Sequence, residues 1–301
     1  MKKYISFLLL LSGAIAMAPA AAQQSYNSPV ARFYRNNYLA NPAYAGSREN
    51  AFFYGLVNHS WLGFDGAPTL TQFTADLPFA EHSGAGIQVS TDKAGVLRRT
   101  TAKLSYAYKI QTGGEDEQLK LGFSLAGYRQ QLDAASVSSG GVYDPFAKSF
   151  NDRGWQVDGD FGAVYQTSNF QFSAAAFNLR QTFRKEEEKP ANLETFNLMT
   201  SYAFNAGEKV VLKPLASARF FYKESWILGL GTQFTYDQLF HTSVIWQHTG
   251  SFSGTLGLLL RNIGEANFTY VTSNKQNQGQ QYEVGLGVGL SGKKSKKVLQ
   301  L

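Results

Sequence analysis

The sequence predicts an all-β chain, an antiparallel transmembrane outer-membrane β-barrel of about 14 strands. Three observations predict it. Period-2 alternation of apolar and polar residues runs along most of residues 49–291. The alternating runs are about ten residues long, the length of a tilted bilayer crossing and about twice that of an average soluble strand. An apolar stretch that reads as an export signal precedes them, and no later segment has ~18 consecutive apolar residues, the length a helical span needs.

Each element follows from the residues in order. Lys2 and Lys3, the apolar run Ile5 to Met17 and the Ala20-Ala21-Ala22 cleavage pattern mark residues 1–22 as a signal peptide. Residues 23–48 form an N-terminal periplasmic or lumenal segment, residues 49–291 the barrel and residues 292–301 a basic C-terminal tail. The alternation is clearest at Thr101–Ile110. There Ala102, Leu104, Tyr106, Tyr108 and Ile110 share one face, and Thr101, Lys103, Ser105 and Lys109 the other. Leu119–Leu132, Trp155–Tyr165, Val210–Tyr222 and Gln281–Leu290 repeat the pattern. Their polar faces are rich in Gly, Ser, Thr and Gln, and several apolar faces end in Tyr, Trp or Phe. That is the signature of a lipid-facing band with aromatic girdles around a polar lumen.

The fourteen candidate strands are 49–58, 68–77, 83–91, 97–110, 119–132, 154–167, 170–178, 194–204, 210–222, 225–236, 239–249, 252–263, 265–273 and 281–291. Alternation is poorest in the first, second and twelfth. With both termini in the periplasm, the two longest connections, 133–153 and 179–193, follow odd-numbered strands and face outside. Connections after even-numbered strands are short, as barrels of this kind require.

Composition agrees. Charged residues are 17% of the chain, against about 25% in soluble proteins, and aromatic residues are 14% with a mean hydropathy of −0.24. The chain has no Cys, which excludes disulfides, thiolate metal sites, a Cys nucleophile and a lipoprotein anchor. The net charge of +6 is modest. Several of its lysines lie in the signal peptide and the tail, so no nucleic-acid partner is implied.

Catalysis has little support. The four histidines, His59, His82, His241 and His248, are too scattered for a metal site, which needs three or four converging ligands. His248 shares a face with Val244 and Trp246 and reads as a girdle residue, with no Ser or acidic partner identifiable. Gly285, Gly287 and Gly289 lie inside an alternating strand and lack the helix a dinucleotide loop requires. They fit a close approach to the lumen wall, or relief of barrel curvature, instead. No cofactor and no enzymatic activity are expected. The run Arg184–Lys189 reads as a solvated loop tip.

One segment is distinctive. Asn41-Pro42-Ala43-Tyr44-Ala45-Gly46 stands just before the first strand. Locally it is a turn, begun by Asn-Pro and ended by a glycine at positive φ. The wider run Gln23–Ala45 has polar and aromatic groups suited to a lumenal plug. This motif is followed by Trp61-Leu62-Gly63-Phe64-Asp65-Gly66-Ala67-Pro68, Asp92-Lys93-Ala94-Gly95, Tyr106-Ala107-Tyr108 and Gln281-Tyr282-Glu283-Val284-Gly285-Leu286. In that order they resemble the PorP/SprF family of type IX secretion system membrane proteins, with no family motif in 133–195. The C-terminus departs from a barrel that ends on an aromatic strand, since residues Lys293 to Leu301 follow the closing pattern.

The resemblance implies a fourteen-stranded barrel of the fatty-acid-transporter type in the outer membrane of a Gram-negative, Bacteroidota-type bacterium. It implies a role in type IX secretion, gliding motility or cell-surface anchoring. The implied partners are outer-membrane lipid, a secreted cargo protein or its C-terminal domain, and periplasmic secretion components. Trp61, Phe64, Tyr143, Phe146 and Phe150 are candidate partner-binding residues on the outer loops, since exposed aromatics are favoured at binding hot spots. Composition and periodicity alone would favour a channel or transporter for small or hydrophobic solutes.

Overall fold

The computed structural model describes residues 34–61, 66–114, 116–133, 145–183, 194–222, 226–260, 264–273 and 280–290. The expected signal peptide and basic tail lie outside these residues. The strands are β1 (Ala51–Ser60), β2 (Thr69–Ala80), β3 (Ser83–Ala94), β4 (Leu97–Gln111), β5 (Gln118–Leu132), β6 (Gln156–Gln166) and β7 (Phe170–Ala176). There follow β8 (Glu194–Tyr202), which the short segment Phe204–Asn205 continues, β9 (Val210–Phe221) and β10 (Trp226–Tyr236). The last are β11 (Phe240–Gln247), β12 (Ser251–Leu260), β13 (Gly264–Ser273) and β14 (Gln281–Leu290). Each pairs antiparallel with its sequence neighbour, and β14 pairs with β1 from Ala51↔Leu290 to Ser60↔Gln281. The sheet is closed, and the fourteen expected strands are the fourteen observed.

Closure is what lipid demands. Inside the hydrocarbon no water can satisfy a free N–H or C=O, so a strand there must have a partner on both sides. The outer wall is correspondingly apolar. Leu104, Leu256, Leu258 and Leu286 are among its most exposed side chains, at 59–66%. The inner face is polar, and Thr74, Ser124, Asp160, Ser173 and Thr269 are fully buried there. This inversion of the soluble pattern is the alternation seen in sequence, now assigned to faces.

Aromatics mark the two membrane boundaries. All four tryptophans, Trp61, Trp155, Trp226 and Trp246, stand at or beside strand ends on the side of the longer loops. At the opposite end Phe79 meets Tyr106, and Tyr202 meets Phe204, with ring centroids 6.1 and 4.6 Å apart. Indole and phenol rings favour this headgroup level.

Two departures from the expected strands have physical causes. β1 alternates regularly in the structure, yet its lumenal residues Phe52, Tyr54 and Leu56 are apolar and pack with Leu70 and Leu39. Both faces of β1 are therefore hydrophobic, which blurs the period. β7 stops at Ala176, short of the expected 178, because Asn178 takes φ 53 and turns the chain. The connection then begins with a short helix, α2 (Leu179–Thr182), after α1 (Pro145–Asn151) in the β5–β6 connection. The Arg180 N–H and the Gln181 amide both donate to lumen-facing Asp158, each at 2.8 Å. α2 therefore lies over the lumenal side of β6 rather than projecting outward.

The lipid band makes arginine substitution depth-dependent. Leu104 lies at the centre of β4 and faces out, and Leu104→Arg should cost roughly 2–4 kcal/mol. Thr100→Arg, on the same face four residues nearer the outer rim, should cost less, since the penalty falls toward the interface. Urea titration of the folded fraction, read by heat-modifiable mobility, checks this, and equal losses would contradict the face and depth assignment.

Candidate functional site in the barrel lumen

The segment before β1 runs into the lumen. It is two 3-10 turns, Asn37–Leu39 and Pro42–Tyr44, each begun by an asparagine cap. Asn36 Oδ1 accepts from the Tyr38 N–H, and Asn41 Oδ1 from the Ala43 N–H at 2.8 Å. Pro42 at the first position of the second turn lacks the N–H that such a turn would leave unused. Gly46 ends the segment at φ 63, which favours glycine.

These turns are fixed to the wall by side chains pointing in opposite directions. Asn36 donates to Thr74 Oγ1 on β2 at 2.9 Å, and the Gly46 N–H donates to Asp76 Oδ2. Tyr38 OH donates to Ser105 Oγ on β4 at 2.8 Å, and Ser105 is linked to Ser124 on β5. Tyr34 OH donates to the Lys213 carbonyl on β9. Arg35 forms a buried ion pair with Glu283 on β14 at 2.6 Å.

Asn41 is the centre of the arrangement and is fully buried. Its amide nitrogen lies 2.9 Å from Ser173 Oγ and from the Ala174 carbonyl, and 3.2 Å from the Ala163 carbonyl. One side chain thus caps its own turn and joins β6 to β7. Such an approach needs a wall without side chains. A Cβ at Gly162 would overlap the Asn41 amide, and one at Gly122 would overlap the backbone of Pro42 and Ala43. Tyr38, Ala40, Ala43, Tyr44 and Ala45 form an apolar cluster with wall residues Ala107, Val164, Met199, Leu215 and Ile245. A cavity of about 570 Å³ remains beside the segment, lined in part by Lys120, Tyr44, His82 and Asn169, at the barrel end with the short turns.

Nearer the long loops on the same strand β6, Asp160 pairs with Lys103 at 2.5 Å and accepts from the Asn178 N–H. Together with α2 on Asp158, this narrows the end nearer the long loops. The lumen is narrowed from both ends.

The residues expected at a partner surface fall elsewhere. Trp61 is exposed at the outer end of β1. Phe150 is half-buried in α1, with the Arg153 guanidinium 4.9 Å from its ring. Phe64 and Tyr143 lie outside the described residues, and Phe146 belongs to α1. Trp61 and Phe150 stand on different stretches of the rim, after β1 and after β5. The histidines are also apart. His248 stacks on Trp226 with centroids 4.3 Å apart, at a girdle position, and His241 is buried in the lumen. Among the described residues no group of three or more His, Cys, Asp or Glu could hold a metal ion.

Sequence reasoning singled out the motif but not its receptors Gly122, Gly162 and Ser173, nor Ser105 and Glu283, which receive Tyr38 and Arg35 just before it. The available signal was the small residues at lumenal positions on adjacent strands. Their meaning appears only when register brings them to one patch.

A closed fourteen-stranded barrel with an apolar outer wall, aromatic girdles and a polar lumen is an outer-membrane β-barrel. The family model of the type IX secretion system membrane protein PorP/SprF matches residues 22–288, and the chain belongs to that family. No curated protein matches it. Among solved structures it is similar to the Acinetobacter baumannii outer membrane protein Omp33, with TM-score 0.50, 9% identity, and 81% of this chain and 100% of that one covered. It is also similar to the Pseudomonas putida toluene transporter TodX, with TM-score 0.48, 10% identity, and 91% and 96% covered. Outer membrane phospholipase A from Escherichia coli gives TM-score 0.40 and 11% identity, with 81% and 93% covered. These likenesses concern the fold alone.

Replacing Asn41 with Ala removes a cap worth about 0.5–2 kcal/mol. It also strips partners from buried polar atoms at about 1–3 kcal/mol. Asn41→Ala should therefore leave the barrel folded while loosening the segment. Limited proteolysis should cut within residues 34–48 faster than in the parent protein, and single-channel conductance in planar bilayers should rise.

Proposed function

We propose that this barrel is a non-catalytic platform of the type IX secretion system, holding secreted or surface-anchored cargo outside and meeting periplasmic components inside. Membership of the PorP/SprF family supports the system. The observation that carries the reading is the occupied lumen. The segment that carries the family motif is bonded through Arg35, Asn36, Tyr38 and Asn41 to strands on several sides of the wall, which suits an anchored scaffold better than an open pore. The outer surface is then the rim and its long connections, 133–155 and 177–193. Trp61, Phe64, Tyr143, Phe146 and Phe150 are the proposed cargo contacts, chosen because aromatic anchors dominate binding energy at interfaces. The cavity at the short-turn end, with the start of the mature chain and the basic tail 292–301, is the proposed periplasmic contact region.

A clean deletion tests the platform. Cargo should be lost from the cell surface or released, with small-solute uptake unchanged. Normal display with a selective uptake defect would replace the platform with a transporter.

Orientation can be tested independently because the chain has no Cys. Asp152→Cys, beside α1, should react with a membrane-impermeant maleimide on intact cells. Ser168→Cys, in the β6–β7 turn, should react only after the outer membrane is opened. The reverse pattern would invert the barrel.

A further inference from the structure

The outward face of the barrel breaks its own rule at one place. Lys93 on β3 and Arg98 on β4 are direct cross-strand partners. Both lie in the outward-facing series of exposed residues that includes Ile87, Val89, Ala102 and Leu104. Arg129 on β5 joins them, since Thr100↔Arg129 and Arg98↔Gln131 are register pairs that put Arg129 on the diagonal from Arg98. Like charges directly opposite across strands are destabilising unless something neutralises them. No outward-facing residue within β3, β4 or β5 is acidic, and Asp133, one residue past β5 with its N–H on the Val96 carbonyl, forms no ion pair with Lys93 or Arg98. Neither Lys93 nor Arg98 makes an ion pair with a described residue. Arg129 donates to the Asn151 carbonyl at 3.0 Å through one terminal nitrogen, while its buried Nε has no partner.

Depth says what the counter-charge is. Arg98 is six residues from Leu104 along β4. At about 3.3 Å per residue and a tilt near 40°, that is about 15 Å above the midplane, the edge of the hydrocarbon. Trp155, more than half exposed, lies 3.4 Å from where a Gly127 Cβ would be and gives the same level an aromatic face. An anion seated here has guanidinium forks suited to phosphate oxygens above. Below it lies an apolar wall on which acyl chains can rest.

We propose that Lys93, Arg98 and Arg129 form a binding site for the phosphate of an outer-leaflet phosphoglycolipid, with its acyl chains against the β3–β5 wall. The site rests on the orientation of the barrel and is independent of the platform reading. It gives this sector of the wall a fixed lipid beside the β5–β6 connection.

The test uses the full-length barrel, folded in mild detergent, with native mass spectrometry. The probes are lipid A carrying its phosphates, the same lipid dephosphorylated, and inorganic phosphate as competitor. Phosphorylated lipid A should be retained and the dephosphorylated form not. Lys93→Gln with Arg98→Gln should weaken retention about 10- to 30-fold, from the loss of two headgroup-level cations. Lys148→Gln with Arg153→Gln, which removes equal charge from the neighbouring rim, should leave it unchanged. The exchange pair Lys93→Arg with Arg98→Lys should retain the lipid, and it with single Arg98→Gln covers the case in which the double variant does not fold. Equal binding of the dephosphorylated lipid, unchanged binding by the Gln variants or equal loss in the control pair would overturn the site. Full displacement by millimolar inorganic phosphate would make it a free-anion site and reject the lipid.

Discussion

In a hydrocarbon medium, every strand edge must be covered. The pairing of β14 with β1 is the interaction on which the rest of this structure depends. Without it Ala51–Ser60 and Gln281–Leu290 would each expose a row of donors and acceptors to lipid, at several kcal/mol for each unsatisfied group. With it, side-chain alternation acquires a fixed meaning, lipid on one side and lumen on the other. A one-residue slip would put Glu283 into the bilayer and Val284 into the lumen, so the hydrophobic pattern also protects the register.

Closure creates a second problem, an interior of polar side chains with too much space between them. The chain answers with its own N-terminal segment. Its backbone would carry unsatisfied groups into a confined space, and the two asparagine caps take up part of that cost locally. The wall meets the segment with glycine where backbone approaches backbone, and with serine and threonine where a hydroxyl can accept. The other end is closed by different chemistry. There Asp158 and Asp160 hold α2 and the turn at Asn178.

The sequence was most legible where a strand keeps polar side chains on its lumenal face. The run Thr101–Ile110 announces its faces because Thr101, Lys103, Ser105 and Lys109 keep the inner side polar even where the plug touches it, Ser105 meeting the Tyr38 hydroxyl. It was least legible where the lumenal side chains are themselves apolar. β1 reads poorly because Phe52, Tyr54 and Leu56 are buried against other lumenal groups, so a locally two-sided apolar strand results from contacts far away in sequence. The helix α2 was hidden for a similar reason. Its four residues carry too little pattern to find, and it is held by Asp158, which lies 22 residues before Arg180 in the sequence. Asn41-Pro42 was visible as a turn. That its asparagine would bridge β6 and β7 depends on Gly162 and Ser173, more than a hundred residues later.

The plug and the closure are linked through one residue. Glu283 lies on β14, in register with Asn58 of β1, and its carboxylate pairs with Arg35 of the N-terminal segment. Both side chains are almost wholly buried, and removing one member of such a pair strands the other charge at a cost of about 3–5 kcal/mol. Until β14 arrives, Arg35 lacks the Glu283 carboxylate. Until the segment is in place, β14 brings Glu283 into the lumen without the Arg35 guanidinium. Seating of the plug and closure of the sheet therefore stabilise one another. The last strand of the barrel and the segment that precedes β1 form one cooperative unit.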